Sequence, residues 1–121
     1  NRLKLLGYCL SEKMEVMSDL GIAIITLTQE ELQRFNFKKG DTEGVVNYAL
    51  SIEGIYVAAF MVERDGIIKI SFRSKGDISV NQLARDHFNG GGHINAAGGS
   101  ASTIEEAIST FKIIIPNYIN N

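Results

Sequence analysis

Gly90-Gly91-Gly92-His93-Ile94-Asn95-Ala96-Ala97-Gly98-Gly99 is the stretch on which the fold turns, holding five of the chain's twelve glycines and one of its two histidines. Three successive glycines carry no Cβ atoms, so their backbone can take φ > 0 and a ligand can come into contact with it. His93-Ile94-Asn95-Ala96-Ala97 is expected to make one or two helical turns before Gly98 and Gly99 supply a stop. A glycine loop opening a helix directs free N–H groups and the positive end of a dipole at one spot, which suits phosphate or carboxylate. His93 adds a donor there that can also become cationic. The same residues read equally well as a glycine hinge around a small-residue helix packed tightly in a core. Local sequence leaves both readings open.

Working outward, Ile67 to Ser74 alternates as a strand, with Ile68, Ile70 and Phe72 on one side and Lys69, Ser71 and Arg73 on the other. Glu63-Arg64-Asp65-Gly66 ahead of it is a hairpin turn carrying the Asp-Gly signal. Ile55 to Val62 is nearly continuous apolar sequence and reads as a central strand. Between that strand and the glycines, Ser79-Val80-Asn81-Gln82 has the form of a capping box, opening a helix whose Val80, Leu83, Ala84, His87 and Phe88 share one face. On that pattern His87 belongs to the core or its rim.

Towards the N-terminus, Arg2 to Leu10 has leucines at helical spacing, and Met14 to Leu27 reads as a hairpin whose second strand, Gly21 to Leu27, is buried on both faces. Thr28-Gln29-Glu30-Glu31 is a capping box opening a short helix. Thr42 to Ser51 is a second helix with Val45, Val46, Ala49 and Leu50 inward. Tyr48, Tyr56 and Phe60 have apolar neighbours and are expected in the core. Beyond the glycines, Thr103-Ile104-Glu105-Glu106 caps a last helix that ends or bends at Pro116. The order gives one α/β domain, a mixed β-sheet covered by helices.

The length of 121 residues allows one core, and 45% hydrophobic with 21% charged residues is an ordinary globular balance. Twelve Lys and Arg against fourteen Asp and Glu leave a net charge of −2, so a broad nucleic-acid-coating surface is not expected. Any nucleic-acid contact should be local. The lone Cys9 excludes an internal disulfide and a CxxC motif, which points to a reducing, cytoplasmic setting; no apolar run is long enough to span a membrane.

Among residues that could carry chemistry, Arg73 at a strand end presents a fork suited to two-pronged phosphate contact. A solvated surface arginine is the plainer reading. Ser74 follows it. Asn95, two residues after His93, can reach a phosphate or base edge, or cap its own turn. Asn47 is read as exposed polar or ligand-binding, and Asn81 as structural. His87 and His93 with Asp86 lack the ligand set of a metal site, and no Ser-His-Asp arrangement has a defensible spacing.

Gly-Gly-Gly-His-x-x-Ala-Ala-Gly, preceded by a strand ending Ser71-Phe72-Arg73-Ser74, resembles the C-terminal DHH-associated domain of the DHH phosphoesterases. It is most like their bacterial nano-RNase and 3′-phosphoadenosine 5′-phosphate phosphatase branch. Asp41-Thr42-Glu43-Gly44-Val45-Val46-Asn47 and Val80-Asn81-Gln82-Leu83-Ala84 resemble further family landmarks in the family's order. The resemblance implies a DHH-associated domain over residues 14–121, with 1–13 as a linker or helix remnant from an N-terminal DHH catalytic domain. In that family two metal ions, usually manganese, sit in the catalytic lobe, so this chain is expected to bind no cofactor and to contain no catalytic residue.

The present domain would act as the substrate-binding cap, holding a short oligonucleotide or nucleotide through Arg73, Ser74, Gly90, Gly91, Gly92, His93, Asn95 and Asn47. The expected partner is the DHH lobe in cis, a homodimer being left open, with no membrane association. A stand-alone nucleotide-binding module, or the cap of a RecJ-type exonuclease, a cyclic-dinucleotide phosphodiesterase or an exopolyphosphatase, are the competing readings.

Overall fold

The computed structural model describes residues 2–119; the expected domain limits at residues 1 and 121 lie just outside them. Six strands form one mixed sheet in the order β1-β2-β3-β4-β6-β5. β1 (Glu15–Met17) and β2 (Ile22–Leu27) form the expected hairpin. β2 runs parallel to β3 (Val57–Arg64), the crossover carrying α2 (Gln29–Arg34) and α3 (Val45–Leu50). β3 and β4 (Ile67–Ser74) are antiparallel, and β4 pairs next with β6 (Ala96–Ala101), which carries the short edge strand β5 (Gly91–His93). The β3–β4 loop is the two residues Asp65-Gly66 at φ 54 and 80, the left-handed pair that matches strand twist. β3 therefore starts two residues later than the apolar run suggested and continues to Arg64.

Helices cover the two faces of the sheet unequally. On the first face, Ile68, Ile70 and Phe72 of β4 and Val57, Ala59 and Met61 of β3 pack under α4 (Val80–His87) and α5 (Ile104–Ile114). Phe72 meets Phe88 and Phe111 at ring-centroid distances of 5.1 and 5.7 Å. On the second face, Ala58, Phe60 and Val62 of β3 with Ala23, Ile25 and Leu27 of β2 are closed over by Val45, Val46, Ala49, Leu32, Leu5 and Cys9. Leu5 and Cys9 come from α1 (Arg2–Tyr8) and the π-helical turn Cys9–Lys13 that follows it. β2 and β3 are thus buried on both faces. β4 is fully buried on one face only, as its alternation requires; α3 reaches its second face, which stays partly open with Ser71 and Arg73 half-buried and Lys69 exposed.

Local sequence explains most element ends. Thr28 and Glu31 form both halves of the capping box of α2, the Glu31 side chain accepting from Thr28 N at 2.9 Å. Glu31 also accepts from Tyr8 Oη and pairs with Lys13 Nζ at 2.9 Å, tying α1 and the turn after it to α2. Ser79 accepts from Gln82 N, but the Gln82 side chain donates to Asp86 instead, so only half of that expected box forms. α3 starts at Val45 rather than Thr42 because Gly44 stands at φ 82, outside helical geometry. Pro116 opens a final short turn, α6 (Pro116–Ile119).

Three expectations of burial fail. Tyr48 and Tyr56 are 54% and 48% exposed: α3 buries Val45, Val46 and Ala49, which leaves Tyr48 on its outer flank, and Tyr56 precedes β3 and lies against Gly21. His87 ends α4 exposed, edge-on to Tyr118 at 6.0 Å, while Phe88 turns into the core in its place. Phe60 is buried as expected. No helix among the described residues is long and apolar enough to cross a membrane.

Candidate functional site

The glycine segment is a β-hairpin, and the helical turns expected over His93 to Ala97 do not form. Gly91, Gly92 and His93 pair with Gly98, Ala97 and Ala96, and β6 in turn pairs with β4 from Ile68 to Arg73. An isolated one- or two-turn helix pays the full nucleation cost. Pairing of β6 with β4, with β5 added at the edge, gives the segment backbone partners instead, and that long-range pairing wins.

Most of the glycines are there for packing. A Cβ on Gly90 would lie 2.0 Å from Gly98 O, one on Gly92 2.6 Å from Ala96 O, and one on Gly99 2.7 Å from Phe88 Cβ. The N–H groups of the segment are also committed: Gly90 N donates to Ala84 O at 3.1 Å, and Gly92 N donates to Asn81 Oδ1 at 2.8 Å. Asn81 therefore acts as the structural anchor expected of it, fastening β5 to α4. Gly91 lies beneath α4 too, its would-be Cβ 3.2 Å from both Arg85 Cγ and Asn81 Oδ1.

Gly98 is the exception. A Cβ there would meet only Ile70 O, at an ordinary 3.5 Å, and its φ is not positive. Packing does not call for a glycine at this position, and a glycine inside a strand otherwise marks a place where something comes close to the backbone.

Register brings two of the expected site residues into one row. His93 is opposite Ala96, and Ala96 is opposite Arg73. Directly opposed residues in antiparallel strands share a face, so Arg73 and His93 flank the small Ala96 on the open face, with Cα atoms roughly 10 Å apart across two strand spacings. The next row along is Ser71 and Gly98, with Gly91 paired to Gly98 but turned towards α4, and the next Lys69 and Ser100. The face is consequently a shallow trough: Ala96 and Gly98 form its floor, Arg73, Ser71 and Lys69 one bank, and His93 part of the other. Arg73 donates from Nη1 to Phe72 O at 2.9 Å, which steadies the guanidinium and leaves its other N–H groups for a ligand. Among the described residues no carboxylate is within ion-pairing distance of Arg73.

The remaining expected residues have other positions. Ser74 points to the opposite face and is buried, donating from Oγ to Ile78 O at 2.6 Å. Asn95 lies in the β5–β6 turn, donating from Nδ2 to Ser74 Oγ at 3.0 Å and to Gly76 O at 3.1 Å. These two clasp the turn to the end of β4 and set the height of Arg73 beside His93. Asn47 is exposed on α3, which packs against β3 and β4. Sequence reading takes Gly98 for a helix stop. The alternation of β4, which already sets Lys69 on the Arg73 side, extended to its partner β6 is the signal that puts Gly98 on that face. The described residues contain no group of three His, Cys, Asp or Glu that could hold a metal ion.

The DHHA1 domain family matches residues 18–120, nearly the whole sheet with the glycine hairpin inside it. The chain is a DHHA1 domain. The bifunctional oligoribonuclease and PAP phosphatase NrnA of Bacillus subtilis (strain 168) is 36% identical over 91 residues, covering 75% of this chain and 28% of that protein. A crystal structure of an exopolyphosphatase-related protein from Bacteroides fragilis superposes with a TM-score of 0.91 at 47% identity, covering 97% of this chain and 34% of the other. The pGpG-specific phosphodiesterase PggH of Vibrio cholerae has the same fold at 18% identity, with a TM-score of 0.67 over 97% of this chain and 39% of that one. This DHHA1 domain spans about a third or less of the length of the first two relatives.

Proposed function

We propose that this DHHA1 domain is the substrate-binding lobe of a DHH-family phosphoesterase that hydrolyses short oligoribonucleotides, nucleoside 3′,5′-bisphosphates or both. The observation that carries the reading is the Arg73–Ala96–His93 row on the β4–β6–β5 part of the sheet, beside α3, where Arg73 and Ala96 are half-buried and His93 is exposed. A guanidinium and an imidazole separated by a methyl-sized floor are spaced to grip a phosphate from two sides, and Gly98 lets the rest of the nucleotide lie against the strand. The name of the Bacillus subtilis relative supports the substrate class. In this reading a DHH lobe supplies the catalytic metals, expected to be manganese, and joins through residues 1–13. The DHHA1 lobe binds and orients; Asn47 reaches the same ligand from α3, and the Ser74–Asn95 clasp fixes the geometry.

The test is Arg73→Ala and Arg73→Lys in the full-length protein. A charge-assisted hydrogen bond contributes about 1.5–3 kcal/mol, so Arg73→Ala should lower kcat/KM on a dinucleotide and on adenosine 3′,5′-bisphosphate by about tenfold to hundredfold. Lysine restores the charge but not two parallel bonds, and should recover only part. Unchanged kinetics for Arg73→Ala would make the arginine a surface charge and end the proposal.

A further inference from the structure

We propose that the trough carries a second binding position at the β3–β4 hairpin end, where Phe37 and Arg64 hold a distal nucleotide of an oligonucleotide whose terminal phosphate is at the Arg73–His93 row. This rests on the reading above and adds a determinant of substrate length to it.

The trough does not end at Arg73. Ser71 and Lys69 follow on the same bank at steps of about 7 Å, two residues of strand each. They run into a depression of about 380 Å³ that Thr42, Phe37 and Arg64 also line. Phe60 and Val62, both nearly buried, form its floor from β3. At its far end the Arg64 guanidinium lies 5.0 Å from the centre of the half-buried Phe37 ring. A guanidinium stacked on an aromatic face offers a base a flat surface and a phosphate a charge.

Charge favours an anionic strand over other occupants. The chain is acidic overall, yet Arg64, Lys69 and Arg73 stand along one lane, and among the described residues no carboxylate pairs with any of them. Asp65 is the one carboxylate lining the depression, at the hairpin tip.

Length decides which substrate feels it. From Arg73 to the level of Ile67 and Arg64 is six residues of β4, roughly 20 Å at strand rise. A stacked strand advances about 3.4 Å per nucleotide. A dinucleotide held at Arg73 stops well short of Phe37, whereas roughly six nucleotides reach it.

The experiment measures, in the full-length protein, the ratio of kcat/KM for a six-nucleotide RNA to that for a dinucleotide. Arg64→Ala and Phe37→Leu are compared with wild type, their folding checked by melting curves. Loss of one base stack should lower that ratio by about fivefold or more in Phe37→Leu, and Arg64→Ala should lower it and flatten its salt dependence. A ratio unchanged in both folded variants overturns the second position while leaving the Arg73 result to judge the first. Linear polyphosphate, which has no bases, is the control competitor. If Phe37→Leu weakens inhibition by polyphosphate as much as it weakens use of the six-nucleotide RNA, the ring does not hold a base and the proposal fails.

Discussion

Gly98→Ala separates a glycine kept for a ligand from glycines kept for the fold. The added methyl would lie 3.5 Å from Ile70 O and within 4 Å of nothing else beyond its chain neighbours. It therefore overfills no contact. Alanine at a compatible position restricts the unfolded chain and stabilises by about 0.4–1 kcal/mol, which for a domain of this size means a Tm higher by roughly 1–5 °C. The methyl also stands in the trough beside Ser71, where it holds a phosphate or ribose away from the strand.

Lengthening one or two charge-assisted bonds beyond contact loses about 1.5–3 kcal/mol each, so affinity for adenosine 3′,5′-bisphosphate should fall at least tenfold. Gly99→Ala is the matched control. It is one residue away, but its methyl would press Phe88 at 2.7 Å, and overpacking of that kind costs about 1–3 kcal/mol. Melting curves and calorimetric titration of the two variants read both effects. If Gly98→Ala binds like wild type, or melts as early as Gly99→Ala, the trough is not a ligand surface and the reasoning from packing is wrong.

Three further outcomes are expected. Burial works against ionisation of Glu31, but hydrogen bonds from Tyr8 and Thr28 and the Lys13 ammonium outweigh it and pull its carboxyl from 4.5 to about 2. The carboxylate therefore stabilises the fold by about 3 kcal/mol above pH 4.5 and loses that contribution as pH falls towards 2; the Tm gap between wild type and Glu31→Gln should close over that window, and a gap independent of pH would refute it. Asn81→Ala removes the acceptor of Gly92 N and should lower stability by about 1–2 kcal/mol, with hydrogen exchange speeding up at Gly92 more than at β3. The isolated domain with manganese and a labelled dinucleotide should show no turnover, because a two-metal site needs clustered carboxylates and histidines; turnover that survives purification would refute this.

The parts of the fold legible in the sequence are those where one local signal sufficed. Alternation of Ile68, Ile70 and Phe72 gave β4, the Asp65-Gly66 pair gave its hairpin, and Thr28 with Glu31 gave the start of α2. The glycine hairpin was not legible because its strand identity comes from pairing with β4, a contact 23 to 33 residues distant in sequence, while its own Ala-Ala step favours helix. Burial of Tyr48 and Tyr56 failed for a related reason. Apolar neighbours in sequence do not say which flank of α3 meets the sheet, or that Tyr56 lies ahead of β3.

A strand hairpin also dissolves the choice between a ligand cradle and a packed hinge, because alternation assigns the two roles to opposite faces. Ala97 and Gly99 face α4, and Gly99 must be bare because Phe88 fills the space its side chain would need. Ala96 and Gly98 face the other way, beside Arg73 and Ser71, where nothing in the fold presses on them. Steric demand therefore accounts for the glycines at 90, 91, 92 and 99 and stops there. The smallness of the other face lies in one register with an arginine and a histidine, and a fold stabilised by burial gains nothing from leaving that strip of sheet partly open. What the packing does not need is what a ligand would.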